Sequence, residues 1–104
     1  MAKFHFTRRA ESDLLEIGNY TIRTRDSAQA ARYLGELKIC CQSLADNPSL
    51  GRLCEYFRPG LHRFEHRAHV VFYAKHHRGI LIVRILHRSM LPEKHPLTDQ
   101  NGES

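Results

Sequence analysis

A chain of 104 residues with a net charge of +5 is long enough for one domain around a single modest core, and its basic balance favours acidic partners. No apolar run reaches the length of a membrane span, and residues 1–7 lack the apolar core of a secretory signal, so a cytoplasmic protein is expected. Cys40, Cys41 and Cys54 are odd in number with two adjacent, which excludes a disulfide framework and a Cys-x-x-Cys zinc ribbon.

Residues 3–6 alternate polar and apolar and predict a short strand with Phe4 and Phe6 inward. Thr7 is placed to cap a helix opening at Arg8-Arg9-Ala10-Glu11. Ala10, Leu14, Ile17 and Thr21 form its buried stripe, which Leu15 and Ile22 are expected to widen. Asp26, with Gln29 three residues on, has the capping-box spacing of a second helix start. There Ala30, Leu34, Leu37, Cys41 and Leu44 give a continuous seam, and Asn47-Pro48 ends it. So short a connection predicts an antiparallel hairpin with both seams toward a sheet.

Residues 49–60 are irregular, with Leu53, Tyr56 and Phe57 expected to tuck under the sheet edge. Residues 61–87 are rich in Val, Ile, Phe and Tyr and break at Arg67-Ala68 and His77-Arg78-Gly79, the pattern of a three-stranded antiparallel meander. Beyond Met90 the prolines stop the last strand, so the domain is set at 1–91 and a polar, flexible tail at 92–104. The expected fold class is α+β: strand–helix–helix–three-strand, an antiparallel helical hairpin on one face of a mostly antiparallel sheet.

Parity along the strands divides the meander into two faces. The helices are expected on the side of Phe64, Val70, Phe72, Val83 and Ile85, which carries fewest charges. The other side, with Arg63, Glu65, His69, Tyr73, Lys75 and Arg84 around Val71, Ile80, Ile82 and Leu86, would then be open and await a partner segment or a second copy.

The histidines suggest metal, but His62 and His66 are too far apart on an extended strand and no carboxylate completes a set, so neither metal nor cofactor is expected. No base accompanies the cysteines. Arg63, Glu65, His69 and Arg84 could in principle serve a ribonuclease, although His87 falls on the opposite parity from Arg84. Nucleic-acid binding has the charge but no helix-turn-helix and no Gly-rich phosphate loop.

Five pieces together resemble one family. They are Thr7-Arg8-Arg9-Ala10-Glu11-Ser12-Asp13-Leu14 with Ile17 and Tyr20; Leu44-Ala45-Asp46-Asn47-Pro48 with Gly51-Arg52; Arg58-Pro59-Gly60-Leu61-His62-Arg63-Phe64; His69-Val70-Val71-Phe72-Tyr73; and Ile82-Val83-Arg84-Ile85-Leu86-His87. In order and spacing they resemble the ParE branch of the RelE/ParE superfamily, the toxins of type II toxin–antitoxin modules. The resemblance implies inhibition of DNA gyrase and neutralisation by a ParD-like antitoxin with an acidic, apolar C-terminal segment. It also implies a toxin–antitoxin hetero-oligomer that meets operator DNA only through the antitoxin.

RelE-like relatives are instead ribosome-dependent mRNA endonucleases, the alternative reading. Here His87 is followed by Arg88-Ser89-Met90 without a tyrosine, and His69 stands where some nuclease relatives carry arginine, so no catalytic residues are assigned. Target contacts are expected at Arg84, His87, Arg88 and Met90, supported by Arg58 and Arg63. Antitoxin contacts are expected at Arg63, His69, Val71, Tyr73, Ile82 and Arg84. Arg84 and Arg63 are equally candidates for structural pairing with Asp13 or Glu65.

Overall fold

The computed structural model describes residues 2–91, so the predicted flexible tail at 92–104 lies outside the described residues. Strand β1 (Lys3–Phe6) leads into α1 (Arg8–Thr24) and α2 (Ser27–Asp46). A two-residue strand β2 (Arg52–Leu53) then precedes β3 (His62–His66), β4 (His69–His76) and β5 (Gly79–His87). The five strands lie in the order β1-β5-β4-β3-β2, with β1 parallel to β5 and the other pairs antiparallel. This is the α+β class expected from the sequence, with β2 as an unforeseen edge.

The helix starts are where their caps put them. Thr7 Oγ1 accepts from the Ala10 N–H at 3.0 Å and donates to the Val83 carbonyl at 2.8 Å, which fixes the first turn of α1 to β5. Asp26 accepts from the Gln29 N–H at 2.7 Å and starts α2. Along α2 the predicted seam is buried at Ala30, Leu37, Cys41 and Leu44. On α1 the stripe is narrower than predicted: Leu15 is 66% and Ile22 49% exposed. Each sits about 100° round the helix from its stripe neighbour, on a flank that neither α2 nor the sheet covers.

The helices pack on a face that mixes the two predicted sets: Phe64 and Ile85 meet them as expected, whereas Val70, Phe72 and Val83 lie on the other side and Val71, Tyr73, Ile80 and Ile82 take their place. Val71, Tyr73, Ile80, Ile82 and Ile85 form one core with Ile17, Leu37, Cys41 and Leu44, and Phe4, Phe6 and Phe64 pack against it. Two features account for the mixture. Both hairpins turn through two residues, so His66 faces His69 and His76 faces Gly79. Even positions of β3 therefore share a face with odd positions of β4, and Phe64 stands opposite Val71. Second, Tyr73 pairs with Ile82 while Phe72 pairs with Arg84, leaving Val83 as an extra residue in β5. That bulge puts Ile82 and Ile85, an odd step apart, in the same core.

The helix-free face is not open. Cys54, Leu61 and Leu91 lie over Val70 and Phe72, with Val83 and Leu86 packed against them, so the chain's own loop and the residues after β5 roof it. Cys54, fully buried, is the residue that tucks under, whereas Leu53, Tyr56 and Phe57 are exposed. The loop before it is anchored from the helix side. Tyr73 Oη donates to the Pro48 carbonyl at 2.6 Å and accepts from the Gly51 N–H at 2.9 Å. Any side chain at Gly51 would strike that phenol and the Arg63 carbonyl.

Candidate functional site

A cleft of about 610 Å³ opens between α1 and the far end of β5. Asp13, Glu16 and Tyr20 form one wall, and His69, His87 and Met90 the other. Its hinge is Asp13. This carboxylate, 8% exposed, accepts from Arg84 Nε and Nη2 and from the Ile85 N–H, all at 2.9 Å. Its hydrogen bonds hold the Arg84 guanidinium above its ordinary range. Of the alternatives open in the sequence, structural pairing with Asp13 is what the geometry shows for Arg84.

His69 stands at the inner end of the cleft. Tyr33 Oη lies 2.6 Å from its Nδ1, and the ring of His87 meets it edge-on with centroids 5.3 Å apart. Burial first, then the neighbouring His87 and His66, pushes the His69 pKa down to about 4, so its imidazole is neutral near pH 7. Burial likewise raises Tyr33, which keeps its proton. Beneath them Glu36 of α2 pairs with Arg67 of the β3–β4 turn at 3.1 Å, with the His66 ring 3.5 Å from the same oxygen.

At the mouth of the cleft the chain makes a tight turn over Arg88–Met90. His87 Nδ1 accepts from the Ser89 N–H at 3.1 Å, the Arg88 N–H reaches the Ala68 carbonyl at 2.8 Å, and Arg88 Nε reaches the Arg67 carbonyl at 2.7 Å. The result is a knuckle tied to the neighbouring turn with Met90 59% exposed at its tip.

The predicted target contacts therefore separate. His87, Arg88 and Met90 gather at the cleft mouth, with Arg84 turned inward beneath them. Arg63 and Arg58 belong to the opposite, roofed side. Arg63 is 4% exposed, with its guanidinium over the Phe72 ring and bonded to Tyr56 Oη at 3.1 Å and Glu65 at 3.0 Å. Burial would raise the Glu65 carboxyl, but Arg52 and Arg63 together hold it below its usual range. Of the predicted antitoxin contacts, Val71, Tyr73 and Ile82 have no exposed surface, because they face the helices. That expectation is corrected; His69 and Arg84 are the members of the set that reach the cleft region.

Sequence reasoning missed Tyr33, Tyr20 and Glu16. Tyr33 had a signal, three residues after buried Ala30 and four before Leu37, but Leu34 satisfies the same helical spacing. Among the described residues no three His, Cys, Asp or Glu side chains stand close enough to hold a metal ion. All three cysteines are free and buried, and burial with Cys40 alongside pushes the Cys41 thiol up to about 12. Among the same residues no helix is long and apolar enough to cross a membrane.

Comparison with known proteins bears on this site. The family described as ParE toxin of type II toxin-antitoxin system, parDE, matches residues 4–92. The chain is 36% identical over 95 residues to Toxin ParE1 of Caulobacter vibrioides, covering 91% of this chain and 98% of that protein. It is 35% identical over 82 residues to Toxin ParE1 of Mycobacterium tuberculosis, covering 78% and 84%. A solved chain from the chromosomal ParDE TA system of P. aeruginosa superposes with a TM-score of 0.70 at 19% identity, over 84% of this chain and 96% of that one, a likeness of fold.

Proposed function

Because the chain belongs to the ParE toxin family of type II toxin–antitoxin systems, we propose that it is a non-enzymatic inhibitor of DNA gyrase, working in the cytoplasm and neutralised by a ParD-like antitoxin. The observation that carries this reading is the knuckle at Arg88–Met90: an exposed thioether beside an arginine and an imidazole, tied by five hydrogen bonds that involve His87 or Arg88. A feature held so firmly presents the same shape before and after contact, which keeps the entropy cost of binding low.

The cleft supports inhibition over RNA cleavage. His69 and His87 stand together, but His69 is neutral near pH 7 and its Nδ1 lies against Tyr33 Oη. The Arg84 guanidinium is committed to Asp13, and Arg88 Nε to a carbonyl. An acidic, apolar antitoxin segment finds exposed Tyr20 and Met90 at the cleft mouth with Arg23 and Arg88 nearby. By covering the knuckle it would mask the surface offered to gyrase. In this reading operator DNA is met only through the antitoxin within the hetero-oligomer.

Adding the purified protein to a gyrase supercoiling assay should stop supercoiling or accumulate cleaved DNA, and the antitoxin should restore the reaction. Undisturbed supercoiling at excess protein would overturn the reading. Codon-linked cuts in messenger RNA after expression would replace it with the nuclease alternative.

A further inference from the structure

A second hollow lies at the other end of β5, away from the cleft. The β4–β5 turn at His77-Arg78 brings His76 opposite Gly79, and Gly79 is paired in turn with Lys3 of the edge strand β1. One row thus runs His76, Gly79, Lys3 across three strands, with His5 two residues along β1 on the same side. The middle of the row must be glycine, because a Cβ there would run into the backbone of Lys3. Beside this close approach lies a depression of about 350 Å³ lined by Lys3, His5, His76, His77, Arg78 and Gly79.

Every side chain in that lining is cationic or an imidazole, and none is a carboxylate. The segments that carry these residues are free of acids, since residues 1–10 and 66–92 contain no Asp or Glu; the carboxylate that comes towards the start of β1 is Asp46 of α2, which shares the Gln42 amide with the Ala2 carbonyl. The imidazoles are arranged, too: His5 and His76 meet edge-on at 6.1 Å, and His76 and His77 at 4.4 Å. In either tautomer each ring offers an N–H, and Lys3 and Arg78 add ammonium and guanidinium donors. Convergent donors and fixed positive charge around a small hollow are what a tetrahedral polyanion needs; an apolar or cationic ligand has nothing to meet there.

We propose that this hollow, where the β4–β5 turn meets the edge strand, binds a phosphate group, carried either by a small phosphate ester or by a nucleic-acid backbone. Lys3 and Arg78 supply the charge, and His5, His76 and His77 supply oriented N–H donors. The test needs no gyrase, so its failure would leave the inhibitor reading untouched.

The full chain is titrated with inorganic pyrophosphate, and separately with a short DNA duplex, while the histidine ring resonances are followed by NMR. Saturable shifts of His5, His76 and His77 are expected, and affinity roughly tenfold weaker in Lys3→Gln/Arg78→Gln, whose two sites are exposed. His76→Gln, with an unchanged melting temperature, provides a second variant and should weaken binding in the same direction. Duplex displaced by pyrophosphate identifies backbone phosphate as the source, and pyrophosphate binding alone identifies a small ester. Unmoved histidine resonances, wild-type affinity in the double variant, or equal competition by polyglutamate would each overturn the assignment.

Discussion

Asp13 shows how tightly one carboxylate can be committed: three donors at 2.9 Å, one of them the backbone N–H of Ile85 in the core. Arg84→Met would leave that buried charge with a single donor and should cost roughly 2–3 kcal/mol in urea unfolding. Asp13→Asn should cost less, because an amide oxygen still accepts from the Ile85 N–H, and the double variant should cost less than the sum. His69 sets a pH dependence of definite sign. Its pKa is about 4 in the fold against 6.5 for the free side chain, so the folded state binds fewer protons between those values. Its contribution is complete above pH 6.5, drains as pH falls toward 4, and is level below. For a partly exposed group that is ~1–2 kcal/mol, read as a falling melting temperature, and His69→Gln should flatten that part of the profile.

At the level of elements, local chemistry was readable and face assignment was not. Thr7 and Asp26 mark helix starts because a cap is a short-range bond that a few adjacent residues decide. Pairings such as Arg63 with Glu65 were readable because one carboxylate stands among many cations from Arg58 to Arg88. Which side of the sheet meets the helices depends on the pairing register and on the bulge at Val83, and parity within one strand reports neither. Counting charges placed Arg63 and Glu65 on the helix-free side, where they are, but did not foresee that Tyr56 and Arg52 from outside their strand would hold them there under a roof. The same register buried Val71, Tyr73 and Ile82, and so removed half of the predicted antitoxin contacts. Deleting Val83 would leave Ile82 and Ile85 two positions apart, which regular alternation keeps on one face, so the variant should still unfold cooperatively, with a melting temperature lowered by the loss of Val83 from the outer cluster. Leu15→Lys, on the uncovered flank of α1, should stay within about 0.5 kcal/mol of the parent.

For the molecule as a whole, the proposed inhibition of gyrase raises the question of which of two basic regions would meet that target. The predicted contact set divides between the knuckle after β5 and the loop that roofs the outer face, where Arg58 sits. These are different surfaces, so substitutions can tell them apart. Met90 is well exposed and makes no core contact that its loss would empty, so Met90→Ala should leave the melting temperature unchanged. If it is the anchor that enters a pocket on gyrase, its truncation should weaken inhibition by about thirtyfold, the scale of a 2 kcal/mol hot spot. Arg88→Ala should lose less, because a rim charge mostly sets encounter rate, and its effect should shrink as salt is raised. Arg58→Ala should inhibit like the parent. The reverse pattern, with Arg58→Ala impaired and Met90→Ala intact, would move the target surface to the outer loop and leave the cleft to the antitoxin alone.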